Sequence, residues 1–123
     1  MRPTGFKYAP EEGSPSYLVV CDGGNVRSAA IATTLKVTHG REATAVGRLF
    51  MRPDTMYELC RIFDKIILTQ PHMIESVPQI FHDKVIIADI GPDRWGISIP
   101  QELNTLADDI TDALIEGEGN GNI

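Results

Sequence analysis

Residues 17–36 read YLVVCDGGNVRSAAIATTLK. An apolar, β-branched run stops at Cys21, two glycines follow, and an Ala-rich run restarts at Arg27 and Ser28. The first part, with Ser16, reads as a strand over 16–21 that is buried on both faces. The last part reads as a helix over 26–39. Ile31, Leu35 and then Thr38 or His39 follow a three-to-four spacing, and Gly40 is its natural stop. A strand, a glycine-containing loop and a helix start form an anion cradle, because successive N–H groups point inward and the helix dipole adds positive potential. Gly23 and Gly24 give the backbone conformations closed to other residues. Arg27 adds a planar fork that matches two phosphate oxygens. The same donors push a thiol at Cys21 towards its thiolate.

The rest of the chain repeats the alternation. EATAV (42–46) is a weak second strand. Asp54, after Pro53, is placed to cap a helix over 55–63, with Met56, Leu59, Cys60 and Phe63 on one face. KIILTQ (65–70) and KVIIAD (84–89) are further apolar strands. Between them, PHMIESVPQIF starts with Pro71 at a helix's first turn, and Pro78 limits or kinks that helix. IGPDRWGISI (90–99) is a loop with an exposed-looking Trp95. PQELNTLADDITDALIEG (100–117) is the clearest amphipathic helix, with Leu103, Leu106, Ile110, Leu114 and Ile115 as its stripe. Strands alternating with helices predict a three-layer α/β domain around a four-stranded parallel sheet. Ligands then bind beyond the carboxyl ends of the strands, where Cys21, Gln70 and Asp89 fall. Residues 1–15 hold three prolines and two glycines and read as an irregular arm. Residues 16–116 form the domain, and 117–123 a flexible tail.

Composition excludes several classes. The chain has 123 residues, 42% hydrophobic and 23% charged, which fits one soluble domain. A formal net charge of −6 speaks against nucleic acid or an anionic membrane as partner. The two cysteines, Cys21 and Cys60, make neither a disulfide framework nor a zinc site. His39, His72 and His82 are scattered without metal-ligand spacing, so no metal and no cofactor is expected. The N-terminal stretch lacks the apolar core of a secretory signal, and no apolar run reaches the ~18 residues of a membrane span. The expected location is the reducing cytoplasm.

CDGGNVRS is C-x5-R-S, the signature of cysteine-dependent phosphatases. Its place after the first strand, with an acid loop far downstream, resembles the low-molecular-weight protein tyrosine phosphatases. PDRWG (92–96) stands where that family has Asp-Pro-aromatic-Gly. ADIGPDRWG followed by PQEL is still more similar to a compact branch of predicted tyrosine phosphatases, and the resemblance covers roughly residues 16–116. It implies hydrolysis of phosphate monoesters through a phosphocysteine. In that case Cys21 is the nucleophile and Arg27 holds the phosphate. Ser28 stabilises the sulfur as leaving group, and Asp93 is the general acid, with Asp89 as its rival. The amides of Asp22, Gly23, Gly24, Asn25, Val26 and Arg27 cradle the phosphate, and Trp95 forms a wall for an aromatic ring. The partner implied is a phosphotyrosine protein or a small aryl phosphate, acted on by a monomer or weak dimer.

Departures from the family pattern are concentrated in the loop. Asn25 comes one place later than usual, Asp22 sets a carboxylate beside the phosphate site, and Val26 replaces a second cysteine. Arg94 replaces the proline after the acid. Three other readings remain: a thiol-dependent arsenate reductase on the same scaffold, a phosphocysteine carrier of sugar phosphotransferase systems, which shares the fold but which Arg27 and the acid loop speak against, and a non-catalytic phosphate-binding or interaction module.

Overall fold

The computed structural model describes residues 12–92, 94, 95 and 100–120. Four strands form one parallel sheet: β1 (Tyr17–Cys21), β2 (Ala43–Gly47), β3 (Lys65–Leu68) and β4 (Val85–Ile87), in the order β2-β1-β3-β4. The helices are α1 (Arg27–Val37), α2 (Pro53–Ile62) and α3 (Gln101–Asn120). The three-layer α/β architecture expected from the sequence is observed.

β1 is central and all five of its residues are buried, as its unbroken apolar run requires. Its alternate side chains serve two cores. Tyr17 and Val19 pack with Ile31 and Leu35 of α1 and Leu103 and Ala107 of α3. Leu18 and Val20 pack on the other face with Met56 and Cys60 of α2, Phe63, Met73 and Phe81. Each such aliphatic side chain contributes about 1.5–3 kcal/mol on full burial. α1 ends as expected: Gly40 has φ +65°, and the N–H groups of Gly40 and Arg41 return to the carbonyls of Lys36 and Leu35.

Four expectations change. α2 begins at Pro53, with Arg52 as the flanking residue, so Asp54 sits in the first turn rather than capping the helix. The helix expected after Pro71 is instead two short 3-10 segments, Pro71–Ser76 and Gln79–Lys84. Pro78 forces Val77 into an extended conformation (φ −101°, ψ 124°) and supplies no N–H, so no continuous helix can cross it. α3 runs on to Asn120, through most of the expected tail. Its last turn is held because Arg41 Nε and Nη2 donate to the Glu118 carboxylate at 2.7–3.1 Å and the Tyr17 hydroxyl also donates to it. Finally, Trp95 is buried, not exposed. Residues 1–11 of the N-terminal arm and 121–123 lie outside the described residues.

Candidate active site

Cys21 closes β1 at the carboxyl edge of the sheet, and the loop to α1 folds back over it. Gly24 takes φ +79°, and a Cβ there would lie 2.6 Å from the backbone nitrogen of Gly47. A Cβ on Gly47 would in turn run into the Gly23 carbonyl. The loop is thus pressed backbone to backbone against the end of β2, which only a glycine pair permits. Gly23 itself has open space around its Cβ position and no positive φ, so the conformational demand falls on Gly24 alone.

This fold-back turns the Gly24 N–H towards the sulfur, where it donates to Cys21 Sγ at 3.0 Å. Ser28 Oγ lies 3.0 Å from the same sulfur. α1 starts after Val26, which has no side-chain oxygen to cap the helix, and its first turn carries no acidic residue. The positive end of the helix therefore faces the loop without a side chain of its own to answer it. Val26 is buried and Asn25 exposed.

Arg27 is 1% exposed, and a charge so deeply placed needs partners. Nη1 donates to Gln70 Oε1 at 2.6 Å and to the Gly91 carbonyl at 2.8 Å. Gln70 follows β3, and Gly91 follows β4. Two strand ends thus pin one corner of the guanidinium. Gly91 is delivered by a turn in which its N–H donates to Asp89 Oδ1 at 2.9 Å, with φ +86° at the glycine. Asp89 is exposed and spends a carboxylate oxygen on shaping that turn. On the other side Nη2 reaches Asp22 Oδ2 at 3.4 Å, a long contact. Nε of Arg27 makes no hydrogen bond among the described residues.

Asp22 is claimed more firmly by a second arginine. Arg48 Nε donates to Asp22 Oδ1 at 2.8 Å, and Arg48 Nη1 continues to Glu75 Oε1 and Ser76 Oγ. The Leu49 N–H donates to the Asp22 carbonyl, tying the same residue down by its backbone. Burial alone would raise the Asp22 carboxyl, but the hydrogen bond and charge of Arg48 and the charge of Arg27 outweigh it and hold it below its usual 3.8.

Trp95 belongs to the apolar cluster of α1 and α3 and is 8% exposed, so its ring is core rather than an open wall. What it presents outward is Arg94, whose guanidinium lies 3.9 Å from the ring centre and 3.7 Å from Glu102. Asp93 lies outside the described residues. Cys60 is fully buried, and burial pushes its thiol up to about 11 against the pull of Lys84. Asp108, Asp109 and Asp112 are exposed on α3. Among the described residues no group of three His, Cys, Asp or Glu side chains is placed to hold a metal, and no helix is long and apolar enough to cross a membrane.

No family model matches the sequence, and no curated protein matches it. The crystal structure of the tyrosine phosphatase AmsI of Erwinia amylovora is similar, with a TM-score of 0.63 at 18% identity, over 85% of this chain and 97% of that one. The chain has the fold of that tyrosine phosphatase. The likeness extends across nearly the whole of that chain, so the sheet and its helices stand within a known architecture.

Sequence reasoning brought Cys21, Ser28 and Arg27 to one corner, and the structure places them together. It set Gln70 at the strand ends where ligands bind, and there Gln70 accepts a hydrogen bond from Arg27. It missed Arg48. The signal was present: Gly47-Arg48 follows the strand beside β1, and in a parallel sheet that strand end must lie against the loop after Cys21.

Proposed function

We propose that the protein hydrolyses phosphate monoesters, phosphotyrosine or small aryl phosphates, through a phosphocysteine. The single observation that carries this is the convergence on Cys21 Sγ of the Gly24 N–H and the Ser28 hydroxyl, beside the buried Arg27.

In this reading the phosphate sits over the sulfur, held by the amides of residues 22–27 and by the Nε side of Arg27. Gln70 and Gly91 fix Nη1, so the fork is oriented before substrate arrives and little reorganisation is needed. The Cys21 thiolate attacks phosphorus, the bond to the aryl oxygen breaks, and Asp93 protonates the departing phenolate. Water then attacks phosphorus and gives a proton to Asp93. The P–S bond breaks, phosphate leaves, and the Ser28 hydroxyl hydrogen-bonds the returning thiolate. Arg27, the loop amides and the helix dipole supply positive charge throughout, so the scheme uses no metal. The described turn role of Asp89 favours Asp93 as the acid. The buried, hard-to-ionise Cys60 is a poor resolving thiol, which favours hydrolysis over arsenate reduction.

Hydrolysis of an aryl phosphate by the wild type and by Cys21→Ser tests the proposal. The variant is expected to lose turnover while still binding vanadate or phosphate. Turnover retained in the variant overturns the mechanism, and vanadate binding without turnover in the wild type assigns a binding module.

A further inference from the structure

The carboxylate of Asp22 stands between two arginines at unequal distances, 2.8 Å from Arg48 and 3.4 Å from Arg27. A carboxylate and a phosphate ask for the same face of a guanidinium. If Asp22 closed on Arg27, it would take the Nη2 donor that a phosphate needs and set a negative charge beside the bound anion. Its retention by Arg48 prevents this. Arg48 is well placed to do so: its own Nη1 is anchored on Glu75 and Ser76, and its side chain is 14% exposed. The backbone fixes the pair as well. Gly47 packs on Gly23 and Gly24, and the Leu49 N–H holds the Asp22 carbonyl, so Arg48 cannot drift from the loop.

We propose that Arg48 is a positioning residue that holds the Asp22 carboxylate off Arg27 and thereby sets the affinity of the Cys21 loop for oxyanions. This rests on the loop being a phosphate site, as proposed above. Arg48 acts through Asp22 and needs no contact with the ligand. When an anion arrives, Asp22 gives up its long contact with Arg27 and keeps its short one with Arg48. The loop then holds a compensated carboxylate beside the ligand, and its affinity for phosphate lies below that of a loop with a neutral residue at this position.

A double-mutant cycle on oxyanion binding tests this. Binding of inorganic phosphate and of vanadate is measured by calorimetry on the full chain, with thermal melting of every variant alongside. Asp22→Asn is expected to tighten binding about tenfold, because a like charge leaves the site. Arg48→Gln is expected to weaken it about tenfold, and Arg48→Lys, which keeps the charge, by less. The deciding variant is Asp22→Asn with Arg48→Gln. If Arg48 acts through Asp22, the double variant binds like Asp22→Asn alone. If the Arg48→Gln loss persists undiminished in the Asp22→Asn background, Arg48 acts by its own charge or by supporting the fold, and the inference is overturned. An unchanged affinity in Arg48→Gln overturns it as well. Wild-type protein that binds neither anion overturns the phosphate-site reading and this inference with it, whereas wild-type binding with an additive cycle overturns the inference alone.

Discussion

The sheet has a buried arginine at each end, and the two are partnered differently. At the amino end, Arg41 sets Nε and Nη2 on the Glu118 carboxylate at 2.7–3.1 Å and Nη1 on the His39 carbonyl at 2.8 Å. The Tyr17 hydroxyl completes the carboxylate. At the carboxyl end, Arg27 has Nη1 fixed by two neutral oxygens, and among the described residues its charge is met by one carboxylate, at 3.4 Å, that a second arginine holds closer. A saturated fork closes a structure; a fork pinned at one corner and left short at the other can take a ligand. The same residue type thus fastens α3 at one end and equips a loop at the other.

Exchanging the two roles gives the largest expected effect. Arg27→Ala should lower the turnover of an aryl phosphate by the protein that remains folded by at least about a hundredfold, the scale of removing one oxyanion donor. Arg41→Ala should leave turnover of the folded protein unchanged. It strands the Glu118 carboxylate, at a cost of about 3 kcal/mol in denaturant unfolding. Activity lost in Arg41→Ala with stability intact would break the comparison.

The two ends should also fail at opposite ends of the pH scale. Burial, the hydrogen bond to Glu118 and the Glu118 charge hold the Tyr17 phenol above its ordinary 10.0, with Arg41 opposing. A raised acid contributes stability below its unfolded pKa and loses it as pH rises. The amino end should therefore weaken above about pH 10, with tyrosinate absorbance from Tyr17 appearing only with unfolding. Asp22 has the opposite sign. Held below 3.8, it contributes above that value, and its contribution is lost as pH falls through its lowered folded value. Tyr17 ionising ahead of unfolding would show the clasp to be loose.

The smallest effect should come from Gln70→Ala, which removes one neutral partner of Arg27. KM for an aryl phosphate should rise about tenfold, the worth of one hydrogen bond to a charged group. Melting should be unchanged. A fall in melting as large as that of Arg41→Ala would make Gln70 a part of the fold rather than of the site.

What the sequence revealed follows this division. The apolar runs at 17–21 and 65–68 and the Gly40 stop are local signals, and they located the sheet and the corner at Cys21. The partnerships are not local. Arg27 meets Gln70 and Gly91 across 43 and 64 residues, and Arg41 meets Glu118 across 77. A polar, glycine-rich end such as EGEGN reads as fraying because nothing nearby in sequence shows the arginine that holds it. Pro78 was legible as an interruption; that it leaves two 3-10 segments depends on how Met73, Val77 and Phe81 reach the core. The burial of Trp95 is hidden for the same reason: its loop carries two glycines and a proline and no helical or strand period, and the apolar face that accepts the ring belongs to α1 and α3.

That burial gives Trp95 a second use. It is the one tryptophan of the chain, packed in the α1–α3 core with the cationic Arg94 across its face. Tryptophan fluorescence therefore has a single origin, next in sequence but one to Asp93. The wavelength and quenching of that emission report, without any label, whether this stretch stays seated on α3 while the loop at Cys21 is occupied or empty.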